Sequence, residues 1–165
     1  MTTQTHTQTE QPTGCCKPFN PVPWQNAEIT WKKKIFVKDH VISFLRIPLN
    51  LERKMTHDID MIERANAMPS RPMMLMDENS LWGADIYIDV SKRVPGAQTT
   101  TLSGTFIPKV FEGPYEDAWK WEQEMREYVE SQDEEVEKIF FYYPMCPKCS
   151  KAYGKNYAVL MAKIK

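Results

Sequence analysis

The sequence lacks any long hydrophobic run and any excess of charge of one sign. Its longest apolar stretches, such as "VISFL" and "AVLMA", fall far short of the roughly 20 residues that a membrane helix needs. The 21 basic and 22 acidic residues leave a net charge of -1, which attracts neither nucleic acid nor an anionic membrane surface. The first residues, "MTTQTHTQTEQPTG", show no basic or apolar region of a secretory signal. We therefore expect a cytoplasmic protein without nucleic-acid or membrane partners.

Several catalytic signatures are missing as well. There is no GxSxG segment and there are only three histidines, which argues against a serine hydrolase triad. Neither GxGxxG nor GxxxxGKS occurs, so dinucleotide and P-loop nucleotide chemistry are not indicated.

At 165 residues the chain is long enough for one domain and too short for two ordinary ones. Residues 1–14 are polar and threonine-rich, which predicts a disordered tail. Residues 15–34 combine three prolines with several aromatic residues, which predicts an extended arm held against the domain. The domain itself is expected to occupy residues 35–165.

Hydrophobic periodicity in the domain gives the order β-α-β-β twice. The predicted strands are 35–49, 72–77, 84–91, 99–113, 137–145 and 155–164, and the predicted helices are 51–67, with Asn50 as N-cap, and 113–132. We expect an α+β fold in which two β-α-β-β units form one antiparallel sheet with both helices on one face. The other face would then be available as a small-molecule cleft.

The strand 84–91 separates apolar from polar side chains. Ile86 and Ile88 share one face, which we expect to meet the helices, whereas Asp85 and Tyr87 share the other. Asp85 and Tyr87 are thus candidates for the cleft, with Trp82 at its entrance. A solvated strand face is the alternative interpretation.

Further candidates surround the second helix. Glu112 ends a strand beside Tyr115, where partial burial would raise the pKa of a general acid or base, although an exposed carboxylate is the simpler interpretation. Trp119 points away from the helix stripe that contains Trp121 and needs another partner, either the arm or a ligand. Tyr143, near the end of a strand, is a further candidate for the cleft.

The four cysteines form two pairs, Cys15–Cys16 and Cys146–Cys149. The second pair, in "CPKC", has the spacing of a zinc knuckle, and four thiolates would complete a closed structural site. The alternatives are a redox dithiol and unlinked thiols. A redox CxxC normally opens a helix, whereas this pair is predicted to leave a strand.

The β-α-β-β repeat, with "LSGTFIPKVFEGPYEDAWKWEQEMREYV" leading into "IFFYYP", resembles the GyrI-like small-molecule-binding fold. The segments "CCKPFNPVPWQNAEITWKKKIFVKDHV" and "YPMCPKCSKAYGKNYAVLMAKI" also resemble a bacterial group labelled simply "hydrolase". This resemblance implies hydrolysis of a small organic or xenobiotic compound. In the wider GyrI-like fold, an acidic residue and aromatic residues in the cleft recognise the ligand. The resemblance to that fold implies this role for Tyr115, after the glycine of "GPY", and for Trp119.

Two functional hypotheses share one cleft, and a third does not need it. In a hydrolase, Glu112 or Asp85 would activate water or protonate a leaving group. Tyr87, Tyr115 or Tyr143 would donate to the developing anion, and Trp82 and Trp119 would stack on the substrate. The same acidic and aromatic cleft would suit a non-catalytic effector-binding or sequestering module. The third hypothesis is a zinc-stapled scaffold that binds protein. The sequence does not determine the oligomeric state.

Overall fold

The computed structural model describes residues 18–78, 80–145 and 147–165. Within these residues the chain is α+β, as expected, with seven strands, three α-helices and two short 3-10 helices. The strands are β1 (Ile29–Phe44), β2 (Ile47–Pro48), β3 (Met74–Asp77), β4 (Gly83–Asp89), β5 (Thr99–Glu112), β6 (Val136–Tyr142) and β7 (Tyr157–Ile164). The helices are α1 (Leu51–Arg64), α2 (Ala118–Glu130) and α3 (Pro147–Tyr153), and the 3-10 turns are Val22–Trp24 and Tyr115–Asp117.

The sheet closes on itself. Its strand order is β2-β1-β4-β3-β6-β7-β5, all pairs are antiparallel, and β1 also pairs with β5, so six strands form a barrel. This corrects the expectation of a sheet with one open face.

Closure depends on the length of β1. The strand begins at Ile29, so residues 29–34, which were assigned to the extended arm, belong to the sheet. The first part of β1 pairs with β5 and the second part with β4. A register shift between Trp31 and Lys34 marks an irregularity of the kind that bends a strand, which lets β1 change partners.

Aromatic side chains fill the barrel interior, to which each of the six strands contributes. Rings from strands that are not neighbours approach each other, with Phe140 5.5 Å from Tyr87 and 6.2 Å from Phe106. A six-stranded barrel is narrow enough to be filled by its own side chains. The interior cluster consists of Phe36, Leu75, Tyr87, Phe106, Phe140, Val159 and Met161.

The chain before β1 lies against one end of this interior. The ring of Phe19 lies 5.2 Å from that of Tyr157, and Trp24 lies 5.6 Å from Tyr142. Both Phe19 and Trp24 pack against the interior cluster.

The outer face of the barrel meets the helices. Ile62 of α1 and Trp121, Met125 and Val129 of α2 are buried together with outward-facing strand residues such as Ile86 and Ile88. The predicted separation of faces in β4 is therefore confirmed, since Tyr87 belongs to the interior cluster. Among the described residues, no helix has the length and apolarity to cross a bilayer.

Candidate functional site

A glutamate and a tyrosine that follow two paired antiparallel strands are joined through their side chains. Glu78 directly follows β3, and Tyr143 directly follows β6; the two strands pair through Met76 and Phe141. The rings of Tyr143 and Phe141 are stacked, with their centroids 6.2 Å apart and their planes at 22° to each other. The Tyr143 hydroxyl donates a hydrogen bond of 3.0 Å to Glu78 Oε1.

Burial governs the charge of this pair. Burial raises the pKa of Glu78 above its ordinary value; the hydrogen bond from Tyr143 and the positive charge of Arg46 oppose this rise, and the negative charge of Glu122 adds to it. Burial, and then the neighbouring Glu78 carboxylate, raise the pKa of Tyr143 far above its ordinary range. Tyr143 therefore stays protonated as a donor, while Glu78 can exchange a proton closer to neutral pH than an exposed glutamate.

Aromatic side chains extend this site toward solvent. Tyr115, in the 3-10 turn before α2, meets the edge of Tyr143 with ring centroids 5.3 Å apart. Tyr115 and Trp119, one turn further along, are both exposed. These rings lie on the Tyr143 side of the pair, whereas the residues that line the recess beside Glu78 are not aromatic.

Solvent reaches Glu78 through a shallow recess. Its cavity volume is about 10 Å³, close to the least that holds one water molecule. Its lining residues come from the β1–β2 hairpin, from β3 and from the segment that leads into β4: Ser43, Arg46, Pro48, Met76, Glu78, Ser80 and Ala84. The recess therefore has room for about one water molecule beside a partly buried carboxyl group.

A titratable carboxyl group beside a water-accessible recess is an arrangement suited to hydrolysis. Residues 6–164 match the profile of a family described as "Bacterial hydrolase". The chain belongs to this bacterial hydrolase family. No curated protein matches the sequence. The family description points to a hydrolase and names no substrate.

In this member of the family, Asp85 lies in a different cluster, together with the charged or titratable side chains of Lys38 and His40. Asp85 Oδ1 lies 2.8 Å from His40 Nδ1, and its Oδ2 lies 3.3 Å from Lys38 Nζ. Burial alone would raise the pKa of Asp85, but His40 and Lys38 outweigh that effect and lower it. Lys38 Nζ also lies 5.5 Å from the ring centroid of Tyr87. The structure thus brings Asp85 and Tyr87 together, but with Asp85 held as an ion-paired carboxylate.

The remaining predicted site residues lie at the surface. Glu112 is exposed at the end of β5, opposite Tyr157. Trp82 is exposed and contacts Phe44, with ring centroids 5.9 Å apart. Of the predicted site residues, Tyr115 and Tyr143 are the two that contact each other in the Glu78 site.

Sequence reasoning missed Glu78. The residue lies in "ENSLWG", a turn-like segment between the predicted strands 72–77 and 84–91, and a carboxylate in a turn is ordinarily solvated. Its burial follows from contacts with Tyr143, which is distant in the chain. The available signal was its position directly after an apolar strand.

Three of the four cysteines, Cys15, Cys16 and Cys146, lie outside the described residues. Cys149 is fully buried in α3. In the described part of the chain, no three or more histidine, cysteine or acidic residues are arranged to hold a metal ion. α3 begins directly after Cys146, whereas no helix was predicted there, so the argument against a redox dithiol no longer holds.

Proposed function

We propose that this chain hydrolyses a small organic compound and that Glu78 is its general acid–base. The observation that carries the proposal is the Glu78–Tyr143 pair beside the recess. Glu78 has a raised pKa, a fixed orientation and access to water. General acid–base catalysis needs these three properties together.

In the proposed reaction, Glu78 as carboxylate takes a proton from water while the water oxygen attacks an electrophilic carbon of the substrate. The bond from that carbon to its leaving group breaks, and the protonated Glu78 returns the proton to the leaving group. Tyr143 keeps its own proton and holds the carboxyl group in place. Arg46 contributes positive charge near the site, where negative charge develops.

The recess and its surroundings favour a compact and partly apolar substrate. The recess is small, and the exposed rings of Tyr115 and Trp119 offer stacking surface near Tyr143. These features support the expectation of an acidic and aromatic cleft and the class of a small organic or xenobiotic compound.

We also propose that the barrel consists of two β-α-β-β halves of the GyrI-like type. Two features of the strand order support this proposal. Within the sheet, β1-β4-β3 lies beside β6-β7-β5, so that each half contributes three strands. The strands that follow α1 and α2, namely β3 and β6, pair with each other. Glu78 and Tyr143 would then occupy the junction between the halves.

The test compares three carboxylates under the same conditions. The wild-type chain is incubated with small aryl esters and epoxides in oxygen-18 water, and the products are analysed by mass spectrometry. We expect heavy oxygen in the product and a loss of turnover of roughly 100-fold or more in Glu78→Gln. Asp85→Asn and Glu112→Gln serve as matched controls and should retain turnover. Full activity of a folded Glu78→Gln variant would overturn the assignment.

A non-catalytic binding module is the second candidate. The tyrosine rings beside the carboxyl group of Glu78 are suited to a lipophilic cation. If such a compound binds to wild-type protein and is recovered unchanged, while no ester or epoxide is hydrolysed, this second function replaces the first.

A further inference from the structure

The end of the β1–β2 hairpin presents an apolar surface away from the protein core. We call this surface the hairpin patch and define it by Ile42, Phe44, Leu45, Ile47, Leu49, Leu81 and Trp82. Each of these side chains is between 44% and 67% exposed. The hairpin patch contains no charged residue.

The patch is one face of the β1–β2 hairpin together with the bend that precedes β4. Phe44 pairs with Ile47, and the Leu49 amide donates to the Ile42 carbonyl at 2.8 Å, so these four side chains share one side of the hairpin. Leu81 and Trp82 lie in the bend directly before β4 and are held to the hairpin, since the carbonyl of Trp82 accepts from the Ser43 amide at 2.9 Å and that of Leu81 accepts from the Arg46 amide at 3.0 Å.

The opposite side of the hairpin faces the protein. Ser43 and Pro48 are paired there and line the recess beside Glu78, and Ser43 is buried. The usual pattern of an antiparallel sheet, with the apolar face inward and the polar face outward, is therefore reversed in this hairpin. Such a reversal is expected where the outward face is covered by another molecule.

The size and charge of the patch favour a second copy of the same chain. Seven side chains with this exposure leave on the order of 800 Å² uncovered, which is about what each partner contributes to a standard interface and more than the largest apolar patch of a typical monomer. A net charge of -1 adds almost no repulsion between copies. The adjacent rings of Phe44 and Trp82 supply the aromatic centre that interfaces ordinarily use.

We infer that the chain forms a symmetric homodimer through the hairpin patch. The same surface on each copy covers the other, as a two-fold axis requires. The recess opens on the other side of the hairpin, so the dimer leaves Glu78 accessible. This inference rests on the fold and does not depend on the proposed hydrolysis.

The first experiment is sedimentation of the full chain at tens of micromolar, with two charge-introducing variants. Leu49→Glu places a charge within the patch, and Val22→Glu places the same charge at a residue outside it that has the same exposed fraction of 67%. We expect a dimer for the wild type and for Val22→Glu, and association weakened at least about 30-fold for Leu49→Glu. Circular dichroism shows whether each variant is folded.

A second experiment keeps the result interpretable if Leu49→Glu does not fold. A photo-cross-linking benzoylphenylalanine at Ile47 should produce a covalent dimer in the wild-type background, whereas the same group at Val22 should not. A monomeric wild type would overturn the inference and would leave the patch to a different protein or to residues 1–17. A dimer that persists in a folded Leu49→Glu variant, or that cross-links equally from both positions, would overturn it as well.

Discussion

The Tyr143 hydroxyl and Glu78 Oε1 lie 3.0 Å apart although 65 positions separate the two residues in the chain. Each residue follows one strand of the β3–β6 pair, but the pair is antiparallel, so the contact is made by the two long side chains and not by pairing of their backbones. The orientation of Glu78 is thus fixed by the barrel and by Tyr143 and does not depend on the flanking turn alone. Several measurable consequences follow from this and from neighbouring features.

Tyr143→Phe should move the titration of Glu78 to higher pH. The Tyr143 hydroxyl stabilises the ionised Glu78 carboxylate and so lowers its pKa, against the effect of burial. Without the hydroxyl, the pKa of Glu78 rises further. If Glu78 acts as the base, the acidic limb of the pH–rate profile shifts in the same direction. Carbon-13 NMR of the labelled glutamate carboxyl group measures the shift without a substrate.

Tyr128→Phe is the matched control for that experiment. It also removes a tyrosine hydroxyl group, but at a position on α2. An unchanged Glu78 titration in a folded Tyr143→Phe variant would contradict the role of the hydrogen bond.

The unfolding free energy of Asp58→Asn, relative to that of wild type, should increase as pH rises. Asp58 is buried where α1 meets β1, and its Oδ2 has no hydrogen-bond partner among the described residues. Burial raises its pKa; the hydrogen bond with His57 opposes this, and the charge of Asp39 adds to it. For Asp39, burial is outweighed by the His40 amide and by Lys54, whose Nζ lies 3.0 Å away, so its pKa is lowered.

The signs follow from linkage. A carboxyl group whose folded pKa is raised loses stability as pH rises from its unfolded value through its folded value, because the folded state resists ionisation. Asp58→Asn removes this loss, so its unfolding free energy relative to wild type should increase across that range. Urea titrations at several pH values measure the difference, with Asp60→Asn, an exposed residue on the same helix, as control. If the unfolding free energies of wild type, Asp58→Asn and Asp60→Asn change with pH in the same way, folding does not raise the pKa of Asp58 and the prediction is wrong.

Phe140→Ala should cost about 3–5 kcal/mol of unfolding free energy. Phe140 is fully buried and contacts the rings of Tyr87 and Phe106 across the barrel interior, so its removal leaves a cavity. Val22→Ala, at an exposed position, should stay within about 0.5 kcal/mol of wild type. Urea denaturation followed by circular dichroism measures both. A loss below about 1 kcal/mol for Phe140→Ala would mean that the interior is not tightly packed.

Zinc remains a prediction of the cysteine spacing. We expect stoichiometric zinc in the purified protein, held by Cys15, Cys16, Cys146 and Cys149, and thiols that react only after denaturation. Elemental mass spectrometry and a thiol titration test this. Absence of zinc together with a reactive Cys146 in the native protein would favour the dithiol alternative, which the presence of α3 makes more plausible than the sequence did.

Local patterns predicted much of the secondary structure. The helix expected over residues 51–67 is α1, and Asn50 precedes it, although the Asn50 side chain accepts from the Ile42 amide and does not cap the helix. In β4 the alternation assigned Ile86 and Tyr87 to opposite faces, as found, because a strand has a period of two whatever its neighbours.

Long-range features were not predictable in this way. Closure of the barrel depends on pairing between Ile29 and Phe106, which the hydrophobic periodicity of a single segment does not predict. The burial of Glu78 depends on Tyr143 in the same sense. α3 was missed because it is short and begins within "CPKC", the segment that resembled a metal knuckle.

The long β1 strand also affects how the chain is made. During synthesis β1 leaves the ribosome before its partners, because β4 and β5 follow it in the chain. Until Phe106 has emerged, the half of β1 around Ile29 has no strand to complete its hydrogen bonds, and the ends of a long loop must then be brought together. Folding should accordingly be slow for a chain of this size, and the nascent protein should depend on chaperones that shield an unpaired strand.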